Sequence, residues 1–174
     1  MKCMPTWCCK DIFSIDLNVL KEHNVKYILT DLDNTLAPFN VPLPTDCVKE
    51  LVANLKKEGF IVIIVSNNTA KRVENFAKEL KVDIISGAKK PFTSTISKYL
   101  QKHNIDINDC VLVGDQLMTD IKCANKLGCK CILTTPIANK DALVTFINRK
   151  IDMHLRKKYD LVKTCKKIDR SDRR

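Results

Sequence analysis

Five short apolar runs alternate with amphipathic segments along most of this chain. The runs contain many β-branched residues without alternating polar ones, which is typical of strands buried on both faces of a parallel sheet. They occupy residues 27–30, 60–65, 82–85, 110–113 and 130–133. Because helix patterns lie between them, right-handed crossovers are expected to place helices on both faces of one sheet. The sequence therefore predicts an α/β sandwich of three layers around a parallel sheet of about five strands.

The predicted helices begin where a polar residue precedes an apolar stripe. One begins at Thr45, buries Val48 and Leu51, and stops at Gly59, as expected of a helix that ends at a glycine. The predicted starts lie near Asp16, Thr45, Thr69, Thr93, Leu117 and Asn139, and the last helix has a possible continuation through residue 155.

Length and charge suggest one domain followed by a basic segment. A chain of 174 residues suits a single compact domain, which we assign to residues 1–150 including the N-terminal helix. From Arg149 onward, 11 Lys and Arg residues face 4 Asp and Glu residues, so this end carries +7 (11 − 4) of the net charge of +10. Residues 151–174 are therefore predicted to form a basic helix or tail. Such a segment suits anionic lipid head groups or nucleic acid, or it is a solvated helix with a frayed end.

Cellular location follows from what the sequence lacks. No apolar run approaches the roughly 20 residues of a membrane span, and the first residues show no apolar signal-peptide core. A cytoplasmic protein is expected, with peripheral membrane contact left open. The nine cysteines are odd in number and irregularly spaced, so we interpret them as reduced thiols that pack as small hydrophobic residues.

Polar side chains follow four of the predicted strands. Because the carboxyl ends of parallel strands share one edge of a sheet, these groups are expected to converge in one crevice. Acids that cluster together repel each other without a cation, and ligands that are all oxygens favour Mg²⁺. A hydroxyl group and a lysine beside them suit a phosphoryl group. The groups are Asp31, Asp33 and Thr35, then Ser66 and Asn67, then Lys89 and Lys90, and finally Asp115 and Asp120.

The order of these groups resembles the four motifs of the haloacid dehalogenase-like (HAD) superfamily of phosphatases. The motifs are Asp31-Leu32-Asp33-Asn34-Thr35, Ser66, Lys90 before Pro91, and Gly114-Asp115-Gln116-Leu117-Met118-Thr119-Asp120. With Phe13-Ser14-Ile15-Asp16-Leu17, they resemble the YqeG-type phosphatases of subfamily IIIA, which are similar to the mitochondrial phosphatidylglycerophosphate phosphatases. The resemblance extends from about residue 11 to residue 136 and implies a Rossmann-like sandwich.

The resemblance implies a role for each of the two motif aspartates. Asp31 would be the nucleophile that forms an aspartyl-phosphate, and Asp33 would be the general acid and base. Mg²⁺ would be held by the Asp31 carboxylate, the Asp33 backbone carbonyl and Asp115.

The remaining motif residues would bind the phosphoryl group or support the site. Ser66 and Lys90 would hold phosphoryl oxygens, with Asn67 making a further contact nearby. Lys90 fits the motif better than Lys89 because it directly precedes the proline. Thr35 would order the first loop, and Asp120 would orient Lys90 or a water molecule on the metal.

Motif spacing leaves no room for a large cap domain. Asp31 and Ser66 are 35 residues apart, and Ser66 and Lys90 are 24 apart. An open site suits large or surface-bound phosphates, and with the basic tail and the subfamily resemblance it favours phosphatidylglycerophosphate. A soluble phosphatase for a small metabolite or nucleotide remains an alternative. An alternative of another class is a basic RNA-binding or ribosome-associated protein with a vestigial site.

Overall fold

Six parallel strands form the single sheet of this computed structural model, which describes residues 3–68, 71–138 and 146–170. The strands are β1 (Trp7–Cys9), β2 (Tyr27–Thr30), β3 (Ile61–Val65), β4 (Asp83–Ile85), β5 (Cys110–Gly114) and β6 (Lys130–Thr134). Their order across the sheet is β1-β6-β5-β2-β3-β4. The α/β prediction is confirmed, and β2 lies in the middle of the sheet, between β5 and β3.

Helices lie between most of the strands, as the pattern predicts. They are α1 (Leu17–Glu22), α2 (Asp46–Lys57), α3 (Lys71–Leu80), α4 (Ser94–Lys102), α5 (Lys122–Leu127), α6 (Phe146–Lys158) and α7 (Leu161–Thr164). A π-helical turn, Leu117–Ile121, leads directly into α5. The helix starts predicted at Thr69 and Asn139 lie outside the described residues.

Strand β1 is the one strand that the sequence analysis missed. It contains only Trp7, Cys8 and Cys9, which carry no β-branched side chain. It pairs with β6, with Trp7 opposite Ile132. Trp7 is 1% exposed, so its burial against the sheet, rather than any local pattern, accounts for the strand.

The sheet is apolar on both faces. Along β2, Ile28 belongs to one buried cluster and Leu29 to the other, because successive side chains of a strand point to opposite faces. Helices α2 and α3 cover the first face, and α4 and α5 contribute to the second. This double covering explains why the strands read as continuous apolar runs.

In the part of the chain that the structure describes, no cap domain interrupts the sheet near the polar edge. Between Asp31 and Ser66 the chain forms α2 and β3, and in the described residues between Ser66 and Lys90 it forms α3 and β4. The crevice at the carboxyl ends of β2, β3 and β5 is therefore bordered by loops.

The basic C-terminal segment packs against the fold in its described part. Cys8 on β1 makes two backbone hydrogen bonds with this segment: its N–H donates to the carbonyl of Lys166 (2.8 Å), and its carbonyl accepts from the N–H of Ile168 (3.0 Å). Leu161 and Ile168 are buried. Residues 161–170 are therefore not the frayed end that the charge pattern allowed. The division of the chain into residues 1–150 and residues 151–174 stays a prediction.

The prediction that all cysteines are reduced is wrong for one pair. Cys8 on β1 and Cys165 after α7 form a disulfide that joins residues 157 apart in sequence. The other seven cysteines are free, and six of them are buried. Burial raises the pKa of Cys110 to about 12 and of Cys123 to about 11, so these thiols stay protonated and pack as apolar groups.

Membrane-spanning helices are absent from the described part of the chain. None of its helices combines the length and the apolar character needed to cross a bilayer.

Candidate active site

Asp31 lies at the centre of the carboxyl edge of the sheet. It directly follows β2, and its backbone N–H donates to the carbonyl of Val113 on the neighbouring β5 (2.9 Å). The chain then turns sharply at Asn34, whose φ is +62° and whose N–H donates to the carbonyl of Ala37 (2.7 Å). Asparagine tolerates this left-handed conformation better than most residues. The turn separates the two motif aspartates from the proline-rich loop that follows.

Lys90 reaches into the site from the loop after β4. Its Nζ lies 2.6 Å from Oδ1 of Asp31, 2.7 Å from Oδ1 of Asp120 and 2.8 Å from the carbonyl of Val65. The lysine side chain is 2% exposed. Lys89 is exposed and has a φ of +54°. The structure therefore brings Lys90, and not Lys89, to the carboxylates.

Three buried carboxylates meet around this lysine. One oxygen from each of Asp31, Asp115 and Asp120 lies within 4.8 Å of the others. Burial raises the pKa of the Asp31 carboxyl group well above its usual range, and the charges of Asp120 and Asp115 add to this increase, although Lys90 opposes it. Burial alone would lower the pKa of Lys90, but Asp120 and Asp31 outweigh it, so its pKa is raised and it remains an ammonium group.

The donor set fits a hard divalent cation. The three carboxylates carry more negative charge than the single ammonium group of Lys90 offsets, and all their ligand atoms are oxygens. Such an all-oxygen set is typical of sites for hard divalent cations. The grouping contains Asp31 and Asp115, two of the expected metal ligands, together with Asp120, for which the sequence suggested only a supporting role. Their binding of a metal stays a prediction.

The Asp120 side chain packs directly against the backbone of Gly114, and further hydrogen bonds position Asp120 and Asp115. A Cβ atom at Gly114 would lie 2.5 Å from Cβ of Asp120, so only glycine lets the π-helical turn pack onto β5 at this point. Oδ2 of Asp120 accepts a hydrogen bond from the N–H of Gln116 (3.1 Å). Oγ1 of Thr35, which is also buried, lies 3.5 Å from Oδ1 of Asp115.

Helix α6 supports the loop of residues 115–121, which contains the π-helical turn, through two residues that the sequence did not indicate. The carboxylate of Asp152 accepts hydrogen bonds from the N–H groups of Leu117 (2.7 Å) and Met118 (3.1 Å). Arg156 donates to the backbone carbonyls of Asp115 (2.6 Å) and Thr134 (3.1 Å). Both residues lie in residues 151–174, for which the sequence predicts a basic helix or tail, and no local pattern distinguishes them from other charged residues of the helix.

Removing the Asp152 carboxylate is expected to destabilise this loop. Asp152→Ala leaves the N–H groups of Leu117 and Met118 without this acceptor, which costs about 1–3 kcal/mol. Urea unfolding would measure the loss, and any turnover at this site should fall with it, because Asp120 belongs to the π-helical turn and Asp115 lies two residues before it. Lys157→Ala, an exposed position on the same helix, should leave both unchanged. An unaltered unfolding midpoint in Asp152→Ala would contradict the expected role.

Ser66 and Asn67 both lie at the carboxyl end of β3. Ser66 is buried, and its Oγ accepts a hydrogen bond from the N–H of Asn68 (3.1 Å). The Asn67 amide holds the backbone of Lys90 from both sides: its Nδ2 donates to the Lys90 carbonyl (3.0 Å), and its Oδ1 accepts from the Lys90 N–H (2.6 Å). Asn67 thus positions the lysine, and a phosphate contact by Asn67 stays a prediction.

Asp33 is held by two residues to which the sequence analysis gave no role in the site. Nδ2 of Asn68 donates to Oδ2 of Asp33 (2.6 Å), and Nη1 of Arg72 pairs with Oδ1. Arg72 belongs to the first turn of α3. Arg72 lies soon after the carboxyl end of β3 and next to the buried Val73. This position is the one signal from which its place in the site could have been predicted.

Comparison with known proteins agrees with this geometry. The haloacid dehalogenase-like hydrolase family matches residues 18–134. The chain is 38% identical to the probable phosphatase YqeG of Bacillus subtilis over 152 residues, which cover 87% of this chain and 88% of that protein. It is 23% identical to phosphatidylglycerophosphate phosphatase 1 of Arabidopsis thaliana over 178 residues, covering 97% of this chain and 51% of that protein.

A solved structure shares the fold. The cobalt-bound deoxy-D-mannose-octulosonate 8-phosphate phosphatase of Haemophilus influenzae superposes with a TM-score of 0.50 at 14% identity, covering 83% of this chain and 96% of that chain. The chain therefore belongs to the haloacid dehalogenase-like hydrolase family. Within that family it is one of the phosphatases, of the YqeG type.

Proposed function

We propose that this protein is a Mg²⁺-dependent phosphatase that acts through an aspartyl-phosphate intermediate and that its substrate is phosphatidylglycerophosphate. The observation that carries the chemical part is the buried Asp31, which lies against Lys90 and within reach of Asp115 and Asp120. A carboxylate in such a position has lost its water shell and faces a fixed cation, which suits a nucleophile for an anionic phosphoryl group.

In the first step, a carboxylate oxygen of Asp31 attacks phosphorus as the bond from phosphorus to the ester oxygen breaks. Asp33 gives its proton to the departing oxygen, so the alcohol leaves neutral. Lys90 holds Oδ1 of Asp31 at 2.6 Å, which leaves Oδ2 for the attack. Lys90 and Ser66 also stabilise the negative oxygens of the phosphoryl group as charge shifts among them.

In the second step, water releases the phosphate. Asp33, now deprotonated, takes a proton from a water molecule while the water oxygen bonds to phosphorus. The bond between phosphorus and Asp31 breaks, which frees inorganic phosphate and restores the Asp31 carboxylate. One residue thus serves both steps, first as an acid and then as a base.

The carboxylates of Asp31 and Asp115 would hold Mg²⁺ together with the Asp33 backbone carbonyl. Asp120 lies close enough to Asp31 and Asp115 to share the site or to orient Lys90. When bound, the cation would reduce the repulsion between the carboxylates and the anionic substrate.

The lipid substrate is supported by three features. The Arabidopsis relative with that activity in its name aligns along nearly the whole chain. The described residues form no cap that would enclose a small substrate at the site. The chain also carries an excess of basic residues after residue 148, which suits an anionic lipid surface in a cytoplasmic, peripherally bound protein.

The test is phosphate release from a panel of monoesters with and without Mg²⁺. We expect Mg²⁺-dependent release from phosphatidylglycerophosphate in mixed micelles, faster than from sugar phosphates or nucleotides. Mg²⁺ should also raise the melting temperature of the wild-type protein, and less so that of Asp115→Asn, because binding to the folded state alone stabilises it.

Other outcomes would select the alternatives. Efficient cleavage of soluble metabolites without cleavage of the lipid would overturn the lipid assignment and leave the phosphatase chemistry intact. RNA binding that weakens steeply with salt and persists in Asp31→Asn, without any phosphate release, would indicate a vestigial site.

A further inference from the structure

The side chain of Arg72 contacts the second motif aspartate and the loop behind it at the same time. Nη1 pairs with Oδ1 of Asp33, while Nη2 donates to the backbone carbonyls of Pro38 (3.1 Å) and Val41 (2.9 Å). The side chains of Arg72 and Asp33 are each 23% exposed. Water therefore competes only partly with these contacts, and hydrogen bonds from a charged donor are among the stronger ones.

Asn68 holds the other oxygen of the same carboxylate. Its Nδ2 lies 2.6 Å from Oδ2 of Asp33. The backbone of Asn68 is itself fixed, because its N–H donates to Oγ of Ser66 (3.1 Å) and its carbonyl accepts from the N–H of Gly87 (3.0 Å). Both carboxylate oxygens are thus tied to the region that follows β3, whereas Asp33 itself lies in the loop that follows β2.

The planar fork of arginine is suited to this arrangement. A guanidinium group presents several N–H donors in a fixed plane, so it can serve a carboxylate and two carbonyls together. A lysine has one nitrogen on a flexible stem and cannot span the same three acceptors. The contacts with Pro38 and Val41 join residues 38–41, which follow the first motif, to the start of α3.

We propose that Arg72 is a positioning residue, which with Asn68 holds the Asp33 carboxylate where it serves both steps of the reaction and ties residues 38–41 to the site. The proposal rests on the function proposed above, because it concerns the same reaction. Asp33 must face the departing oxygen in the first step and a water molecule in the second. A side chain fixed at both oxygens keeps its place between the two events, whereas a mobile one loses geometry at each.

A double-mutant cycle tests the proposal. The variants are Arg72→Ala, Asp33→Asn and the pair together, each assayed with p-nitrophenyl phosphate and with the best alkyl monoester of the panel. An alkyl oxygen needs a proton to leave, and an activated aryl oxygen needs it far less. Arg72→Ala should therefore lower kcat for the alkyl ester by about 10²-fold, the scale of general acid–base catalysis, and should affect the aryl ester much less. It should cause little further loss in the Asp33→Asn background.

Several results would overturn the proposal. Equal losses for both esters, or losses that multiply in the double variant, would indicate that Arg72 acts independently of Asp33. Lys71→Ala, an exposed position beside Arg72, is the matched control and should behave as the wild type.

Two further measurements test the proposal if the Arg72→Ala variant is too unstable to assay. Arg72→Lys keeps the charge and should recover only part of the alkyl-ester activity, so full recovery would contradict the fork argument. Amide hydrogen exchange near residues 36–41 should speed up in either variant, and unchanged exchange would refute the link to the loop. Failure of the proposed function is distinct, because the wild type would then release no phosphate from any monoester, or its turnover would survive Asp31→Asn.

Discussion

Asp31→Asn is expected to release almost no phosphate from any monoester. Asparagine has the same shape but cannot form the aspartyl-phosphate, and loss of a catalytic nucleophile typically costs about 10⁴-fold to 10⁶-fold in kcat. Steady-state phosphate release with Mg²⁺ would measure the loss, and acid-quenched samples of the wild type should contain phosphate bound to protein. Turnover close to that of the wild type would refute the assignment of Asp31 as the nucleophile.

The same variant should fold at least as stably as the wild type in metal-free buffer. Burial raises the pKa of Asp31, so the folded state binds the proton more tightly than the unfolded state does. Stability contributed by the protonated carboxyl group is therefore lost as the pH rises through the raised pKa. Asparagine carries no charge, so a thermal melt at neutral pH should show no decrease for Asp31→Asn, which separates lost chemistry from lost structure.

Lys90→Met is expected to have the largest effect on folding stability. It removes the ammonium group that contacts Asp31 and Asp120, so the two buried carboxylates lose the positive charge of Lys90. Removing one partner of a buried ion pair costs about 3–5 kcal/mol, which chemical denaturation would measure. Turnover should also fall sharply, because Lys90 is proposed to hold the phosphoryl group.

The pH dependence gives a second check on Lys90. Its pKa is raised by Asp120 and Asp31, so its contribution should persist through neutral and moderately alkaline pH and be lost only above the ordinary range of lysine. Lys89→Met changes an exposed neighbour and should alter neither stability nor turnover. Equal effects of the two substitutions would contradict the burial and pairing of Lys90.

Much of the site could be predicted because its parts follow strand ends. Asp31, Ser66, Lys90 and Asp115 each come shortly after an apolar run, and parallel strands bring such positions to one edge. Periodicity also predicted β2 to β6, because strands covered on both faces have a distinctive apolar pattern. The place of Asp120 beside Asp31 and Asp115 was not predicted, since its inward approach depends on the packing of the π-helical turn against Gly114.

Other contacts join residues that are distant in sequence and carry no local pattern. Arg72 meets Asp33 across 39 residues, and Arg156 meets the carbonyl of Asp115 across 41. Charged residues on helix surfaces are common, so the residue type distinguishes neither arginine from its neighbours, and only the position of Arg72 soon after β3 indicates its place near the site. The same reason explains why β1 and the disulfide between Cys8 and Cys165 were missed, since β1 depends on its pairing with β6 and the disulfide depends on the return of the C-terminal segment.

Sequence alone was sufficient for the fold class, the edge at which the site lies and the type of chemistry. Hydrophobic periodicity and the residue types after each strand are local properties, and they follow from burial and from the chemistry of carboxylates and lysine. Folding then established which lysine enters the site, which residues hold Asp33 and how α6 supports Asp115. Those contacts arise from long-range packing, which places side chains together without leaving a repeat or a spacing in the chain.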